Sequence, residues 1–228
     1  MPSRAPSPVY ASAASPAYEP YTSRSSSSSS VSDTYDIDRP SFSSSRSRAW
    51  VDPASLSNYG DASQIKGNVS PYVKQLILNT FIAYGAGDEH CFGHSVAKAV
   101  KFVDISAREG EDKQGRMEAT TIAEVIVSKS MLNGASMLHG GCLAFLIDNT
   151  PLVALGLIQN INGVGVTQAM NILFHSPAPR GSCLRIVSTS IAMGGRIMSA
   201  RCEVINKQTG GVVASAYLNK MQPVMSKM

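Results

Sequence analysis

The chain has 228 residues, 43% of them apolar and 16% charged, which is enough for one domain of ordinary size and a tail. Its formal net charge of +4 is small and its basic residues are scattered, which argues against a nucleic-acid-binding surface. The longest apolar stretch, residues 140–158, is interrupted by Asp148, Asn149 and Pro151, so the sequence predicts no membrane span.

Residues 1–66 are predicted to form a disordered tail. The first 50 residues contain 17 serines and almost no aliphatic side chains. Such a segment cannot bury enough apolar surface to offset the backbone entropy lost on folding. Its Ser and Arg content also fits a mitochondrial transit peptide, although its acidic residues and early prolines argue against one. The folded domain is expected over residues 67–228.

The domain is predicted to contain two helices and six strands. The first helix is expected over residues 72–84, because Ser70–Pro71 is a typical N-terminal cap and Gly85 a typical end. The second helix begins at about residue 140. The predicted strands are residues 95–106, 116–127, 164–174, 183–193, 196–206 and 212–221. One antiparallel sheet wrapped around a central helix satisfies this order, which is an α+β arrangement.

The second predicted helix is unusual in composition. Six consecutive apolar residues, Cys142 to Ile147, leave it without a polar stripe. A helix that is hydrophobic all round is expected to be enclosed by the sheet and by partner surfaces. Asp148 follows directly, and a carboxylate on such a helix calls for a functional or capping role.

Two segments carry a family motif. The first runs from Asn133 through Leu138-His139-Gly140-Gly141 to Asp148, and the second is residues 165–178, which end in Ser176-Pro177-Ala178. Together they resemble the signature of hotdog-fold acyl-CoA thioesterases, of the phenylacetate-type and 4-hydroxybenzoyl-CoA-thioesterase-like groups. The resemblance covers roughly residues 70–222 and implies the hotdog fold, an antiparallel sheet around a long central helix.

The start of the central helix is a candidate catalytic element. Its first N–H groups lack partners within the helix, and Gly140 and Gly141 let a ligand approach the backbone closely. The resemblance implies that the Gly140 N–H polarises the thioester carbonyl with help from Asn133. It implies that His139 orients the substrate or assists the leaving thiolate. The structural alternatives are a tight helix entry for the glycines and a turn for Asn133.

Asp148 is the candidate general base or nucleophile. It follows His139 by nine residues, so the two lie on roughly opposite faces of a straight helix, about 13 Å apart along its axis. They can meet over one substrate only if two subunits contribute one residue each. The resemblance implies such shared sites, in a dimer or a dimer of dimers, and implies that Thr167 holds the attacking water. The alternatives are a capping aspartate and an ordinary strand threonine.

The coenzyme A moiety needs cations and free backbone donors. The residues implied to bind substrate or CoA are Gly141, Ser176, Pro177, Ala178, Arg180, Gly194, Gly195 and Arg196. Solvent-exposed positions are the alternative for the two arginines. The sequence indicates no metal site and no cofactor.

The function predicted from these residues is hydrolysis of an acyl-CoA thioester to a carboxylic acid and free CoA. One alternative is a hotdog-fold hydratase or dehydratase of acyl thioesters. Another is a non-catalytic dimer that binds acyl-CoA, with Pro151 having altered the site by kinking the helix.

The predicted location is the peroxisome, because Ser226-Lys227-Met228 is a close variant of the Ser-Lys-Leu address. The cytoplasm and the mitochondrion are the other expectations.

Overall fold

The computed structural model describes residues 52–109, 117–149, 165–193 and 197–221. The predictions made for Pro151, for Gly194, Gly195 and Arg196, and for the C-terminal tripeptide lie outside these residues. Within them, no helix is both long and apolar enough to cross a membrane.

The elements follow one another in nearly the predicted order. The helices are α1 (Pro71–Phe81), α2 (His94–Ala99) and α3 (Gly140–Asn149), with a π-helical turn at Ile82–Ala86 and short 3₁₀ helices at Pro53–Ser55, Ala62–Gln64 and Lys129–Met131. The strands are β1 (Lys101–Glu109), β2 (Met117–Ile126), β3 (Val166–Phe174), β4 (Cys183–Met193), β5 (Ile197–Asn206) and β6 (Val212–Met221).

The six strands form one antiparallel sheet in the order β1-β2-β4-β5-β6-β3. Its inner face carries buried apolar residues such as Ile105, Leu184, Ile186 and Leu218. Strand β3 lies at one edge and pairs only with β6 within the described chain. The α+β hotdog architecture is therefore confirmed.

Helix α1 forms where the sequence predicts it. The Ser70 hydroxyl accepts a hydrogen bond from the Val73 N–H at 3.3 Å, which satisfies one of the unpaired donors of the first turn. The last turn is π-helical, and Gly85 adopts a φ of +94°, which a residue with a side chain rarely adopts. Val73 and Ile77 bury the apolar face.

The strand predicted over residues 95–106 is wrong in its first half, because His94–Ala99 is a helix. Val96 and Ala97, on this helix, are both buried. Gly93, at φ +74°, turns the chain, and its carbonyl accepts the N–H groups of Val96 and Ala97. Only the second half continues as β1.

Helix α3 begins at Gly140 as predicted, but it is not enclosed on every side in the single chain. Leu143, Leu146 and Ile147 are buried, whereas the other apolar members, Cys142, Ala144 and Phe145, are half-buried. The buried residues follow the i, i+3, i+4 spacing of an ordinary amphipathic helix. Within the described residues of one chain, the sheet covers one side of α3, and enclosure of the other side by a partner surface stays a prediction.

The boundary of the tail at residue 66 also requires correction, because ordered chain begins before it. Ile65 is buried, and the Lys66 backbone pairs with β1 through Val103 and Ile105. Further upstream, the buried Asn79 side chain accepts the Tyr59 N–H and donates to the Pro53 carbonyl. Composition missed this segment because a few long-range contacts, not a dense apolar pattern, hold it in place.

Two truncations should separate the tail from this packed segment. Deleting residues 1–51 should leave the free energy of unfolding nearly unchanged, since their composition provides no core-forming side chains. Deleting residues 1–60 should lower it by about 1–3 kcal/mol, because the buried Asn79 amide loses the Tyr59 N–H and the Pro53 carbonyl as partners. Urea denaturation of both variants measures the difference, and equal midpoints would show that residues 52–60 do not stabilise the domain.

Candidate active site

Backbone hydrogen bonds hold the loop before α3 against a second loop. The Leu138 N–H donates to the Ala178 carbonyl and the His139 N–H to the Met131 carbonyl, both at 2.8 Å. These bonds bring the first predicted motif against the Ser176-Pro177-Ala178 turn of the second. Motifs that are distant in sequence thus line the same region of the surface.

Asn133 organises this loop through its side chain. Its Oδ1 accepts the N–H groups of Ala135 at 2.9 Å and Met137 at 3.1 Å. Asn133 therefore does have the turn role that the sequence offers as an alternative. The Asn133 Nδ2 donates to no described residue, so the same side chain can both hold the turn and offer a donor to a ligand.

The N–H groups of Gly140 and Gly141 at the start of α3 differ in their hydrogen bonding. The His139 Nδ1 accepts the Gly141 N–H at 2.8 Å. Since Nδ1 is an acceptor, the neutral ring carries its proton on Nε2. The Gly141 donor is thus occupied within the chain, whereas the Gly140 N–H has no acceptor among the described residues. Gly140 is left as the backbone donor that a carbonyl oxygen can meet.

A cleft of about 400 Å³ opens beside this helix start. It is lined by Asn133, Met137, Leu138, Gly140, Leu143, Phe174, His175, Ser176, Pro177, Ala178 and Val213. The Ala178 side chain is only 1% exposed, so this residue shapes the wall with its backbone. The exposed Arg180 lies outside the lining. The cleft combines an apolar wall with the Asn133 and Gly140 donors, as a site for a thioester carbonyl requires.

The far end of α3 holds a separate polar cluster around Asp148. The Thr167 hydroxyl donates to Asp148 Oδ1 at 2.5 Å, and the Lys220 ammonium lies 3.3 Å from the same oxygen. Thr167 and Lys220 face each other across β3 and β6, next to a β-bulge between Thr167 and Ala169. The sheet therefore brings both partners to the carboxylate, and a bulge is a common way to redirect side chains near a site.

Lys220 belongs to neither of the two sequence motifs. Its side chain is 1% exposed, and its Nζ also donates to the Tyr84 hydroxyl at 3.2 Å. Burial lowers the pKa of Lys220, but the charge and hydrogen bonds of Tyr84 and Asp148 outweigh it and raise that pKa above the ordinary value. Burial likewise raises the pKa of the Tyr84 phenol. At neutral pH Lys220 is thus a cation and Tyr84 a neutral acceptor.

A sequence signal for Lys220 does exist. In β6 the inward-facing positions alternate as Ala214, Ala216, Leu218 and Lys220. This two-residue period places a lysine on the core face of a strand, where lysine almost never occurs unless it is paired.

The two ends of α3 do not meet within one chain. The cleft at Gly140 and the cluster at Asp148 are separated by most of the helix, and Asp148 does not line the cleft. The structure therefore joins Asn133, Gly140 and residues 176–178 in one group. It joins Asp148 and Thr167, with Lys220, in another.

Parts of the chain are similar to known proteins. Residues 135–213 match the family model of the thioesterase superfamily, a range that includes His139, Gly140, Asp148 and Thr167. Acyl-coenzyme A thioesterase 13 of Homo sapiens is 33% identical over 93 residues, and that of Mus musculus is 32% identical over the same length. Each alignment covers 41% of this chain and 66% of the relative, so the chain spans just under two thirds of their length.

The fold has a solved counterpart. The crystal structure of zebra fish thioesterase superfamily member 2 superposes with a TM-score of 0.51 at 24% identity, over 63% of this chain and 93% of that one. This likeness supports the hotdog fold, and the match of residues 135–213 to the thioesterase superfamily confirms the resemblance noted from the two motifs.

Proposed function

We propose that this protein hydrolyses an acyl-CoA thioester to a carboxylic acid and free CoA. The observation that carries the proposal is the pair of complementary half-sites on α3. One end offers the Gly140 N–H and the Asn133 amide beside an apolar cleft, and the other offers a carboxylate bonded to Thr167. Acyl-CoA is inferred from the thioesterase motifs and from the acyl-coenzyme A thioesterases to which the chain is similar.

The chemistry follows from what each half-site can do. Asp148 takes a proton from a water molecule held with the help of Thr167, while the water oxygen bonds to the thioester carbon. The carbonyl oxygen gains negative charge, which the Gly140 N–H and Asn133 Nδ2 stabilise. The carbon–sulfur bond then breaks, and the CoA thiolate receives the proton, directly from Asp148 or through the adjacent His139. The products are the carboxylic acid and the CoA thiol.

We place the complete site between two subunits. Strand β3 is an unpaired edge in the described chain, and its exposed residues include Val166, Met170, Leu173 and Phe174. An exposed apolar edge strand favours pairing with another strand. Pairing two β3 edges about a twofold axis would set the two α3 helices side by side, so that Asp148 of one chain approaches Gly140 of the other. A dimer of dimers is compatible with the same pairing.

CoA itself is proposed to lie along the turn that closes the cleft. Ser176 and Pro177 are exposed at the cleft wall, and Arg180 is exposed four residues after Ser176. Gly194, Gly195 and Arg196 are retained as the second proposed contact with the CoA phosphates, on the resemblance alone. Gly141 contributes by its small size, since its N–H is bound to His139.

A panel of acyl-CoAs of differing chain length, including aromatic ones, tests this function by release of free thiol. Thiol release well above the spontaneous rate for at least one member is expected. Hydration of an enoyl-CoA without thiol release would instead support the hydratase. Saturable binding without turnover of any member would support an acyl-CoA-binding dimer.

A further inference from the structure

The cluster at the end of α3 contains a charge whose presence the general mechanism does not explain. The Lys220 ammonium sits on the core face of β6 with 1% of its side chain exposed. Taking an ammonium out of water carries a large desolvation cost, and an apolar residue of similar volume often serves a core better. A lysine at this position therefore indicates a role beyond packing.

The geometry around Asp148 suggests that role. Thr167 and Lys220 both contact Oδ1, at 2.5 Å and 3.3 Å, while Oδ2 bonds to no described residue. The Asp148 side chain is 31% exposed, so Oδ2 has access to solvent. Two contacts on one oxygen fix the rotation of the carboxylate and leave its other oxygen for a water molecule.

We infer that Lys220 is a positioning residue that holds the Asp148 carboxylate as an oriented anion, with Oδ2 turned to the attacking water. Tyr84 contributes by accepting a hydrogen bond from the same ammonium at 3.2 Å, which sets the direction of the Lys220 side chain. The inference rests on the proposed thioester hydrolysis, in which Asp148 is the base. Lys220 itself touches neither the water nor the thioester.

The three titratable side chains of this cluster come from three different elements. Asp148 lies on α3, Tyr84 in the π-helical turn after α1, and Lys220 on β6, and the Lys220 ammonium contacts both of the others. Tyr84 is neutral at the pH of the assay, because burial raises the pKa of its phenol. The Lys220 cation is thus the charge that contacts the Asp148 carboxylate.

The test compares Lys220→Met with Lys207→Met. Methionine keeps most of the length and the apolar character of the Lys220 stem, and Lys207, in the turn between β5 and β6, forms an ion pair with Glu124 of β2 at 2.8 Å. The readout is the separate measurement of kcat and KM for the two variants. In Lys220→Met kcat should fall about tenfold with KM nearly unchanged, because the carboxylate is less well oriented.

Three outcomes separate the possibilities. A Lys220→Met enzyme with the kcat and KM of the Lys207→Met control overturns the inference and leaves the proposed function standing. Absence of thioesterase activity in the wild type overturns the function itself. In an Asp148→Asn background, Lys220→Met should have no further effect on kcat, and an additive loss would show that Lys220 acts by another route.

If Lys220→Met fails to fold, Tyr84→Phe provides a second test of the positioning role of Lys220. It removes the acceptor for the Lys220 Nζ and leaves both charges in place. The value of kcat should fall by a smaller factor than in Lys220→Met, with KM nearly unchanged. A kcat for Tyr84→Phe equal to that of the wild type would contradict the proposed orientation of Lys220.

Discussion

Asp148→Asn should lower kcat by at least about a hundredfold, because it removes the base that activates the attacking water. The asparagine side chain can still accept the Thr167 hydrogen bond, so acyl-CoA binding and subunit assembly should be retained. Steady-state thiol release, with acyl-CoA binding measured separately, gives both quantities. A variant that keeps most of its kcat would remove Asp148 from the mechanism.

The same change leaves the Lys220 ammonium buried without its anion, so stability must be followed alongside activity. The melting temperature of Asp148→Asn should fall, and adding Lys220→Met should restore part of it. Asp88→Asn is a matched control, since Asp88 is an exposed carboxylate whose Oδ1 accepts the His90 N–H. That variant should keep both its kcat and its melting temperature.

Mixing two inactive variants should restore activity if the sites are shared between subunits. One partner carries Asp148→Asn. The other carries Asn133→Asp with His139→Ala, where aspartate preserves the acceptor for the Ala135 and Met137 N–H groups but removes the Nδ2 donor. Each mixed dimer then contains one site with every defect and one with none, so it should regain up to about half of the wild-type activity.

Subunit exchange has to be established independently, by native mass spectrometry of the mixture. If mixed dimers form and thiol release stays absent, each chain builds its own site and the role of Asp148 must be reassigned. The same mixture prepared from Asp148→Asn alone is the control, because every site in it lacks the base. It should remain inactive whatever the degree of exchange.

Much of the site could be predicted because its residues lie in two short segments. Asn133, His139, Gly140 and Asp148 occur within one loop and one helix, where spacing alone indicates a helix start and a carboxylate nine residues later. From the sequence, donation to the substrate carbonyl and a role in a turn are alternative interpretations of Asn133. The structure shows the turn and leaves the Nδ2 donor available, so the two roles are compatible.

The errors arose where contacts distant in sequence decide the outcome. Residues 95–99 have the apolar content of a strand, but Gly93 and the adjacent buried pair Val96 and Ala97 make them a helix. Residues 52–66 look like tail by composition, yet Asn79 and β1 hold them to the domain. Local propensity is a weak guide in such cases, because tertiary packing readily overrides it.

The sequence by itself determined the α+β class, the position of α1 and α3, the five later strands and the motif that defines the family. These depend on periodicity and on caps within a few residues of each other. Only the tertiary structure decided that Lys220 and Thr167, 53 residues apart along the chain, contact one oxygen of Asp148. That contact depends on the register of β3 against β6 and on a bulge beside Thr167, and register is set by the whole sheet and not by any single segment.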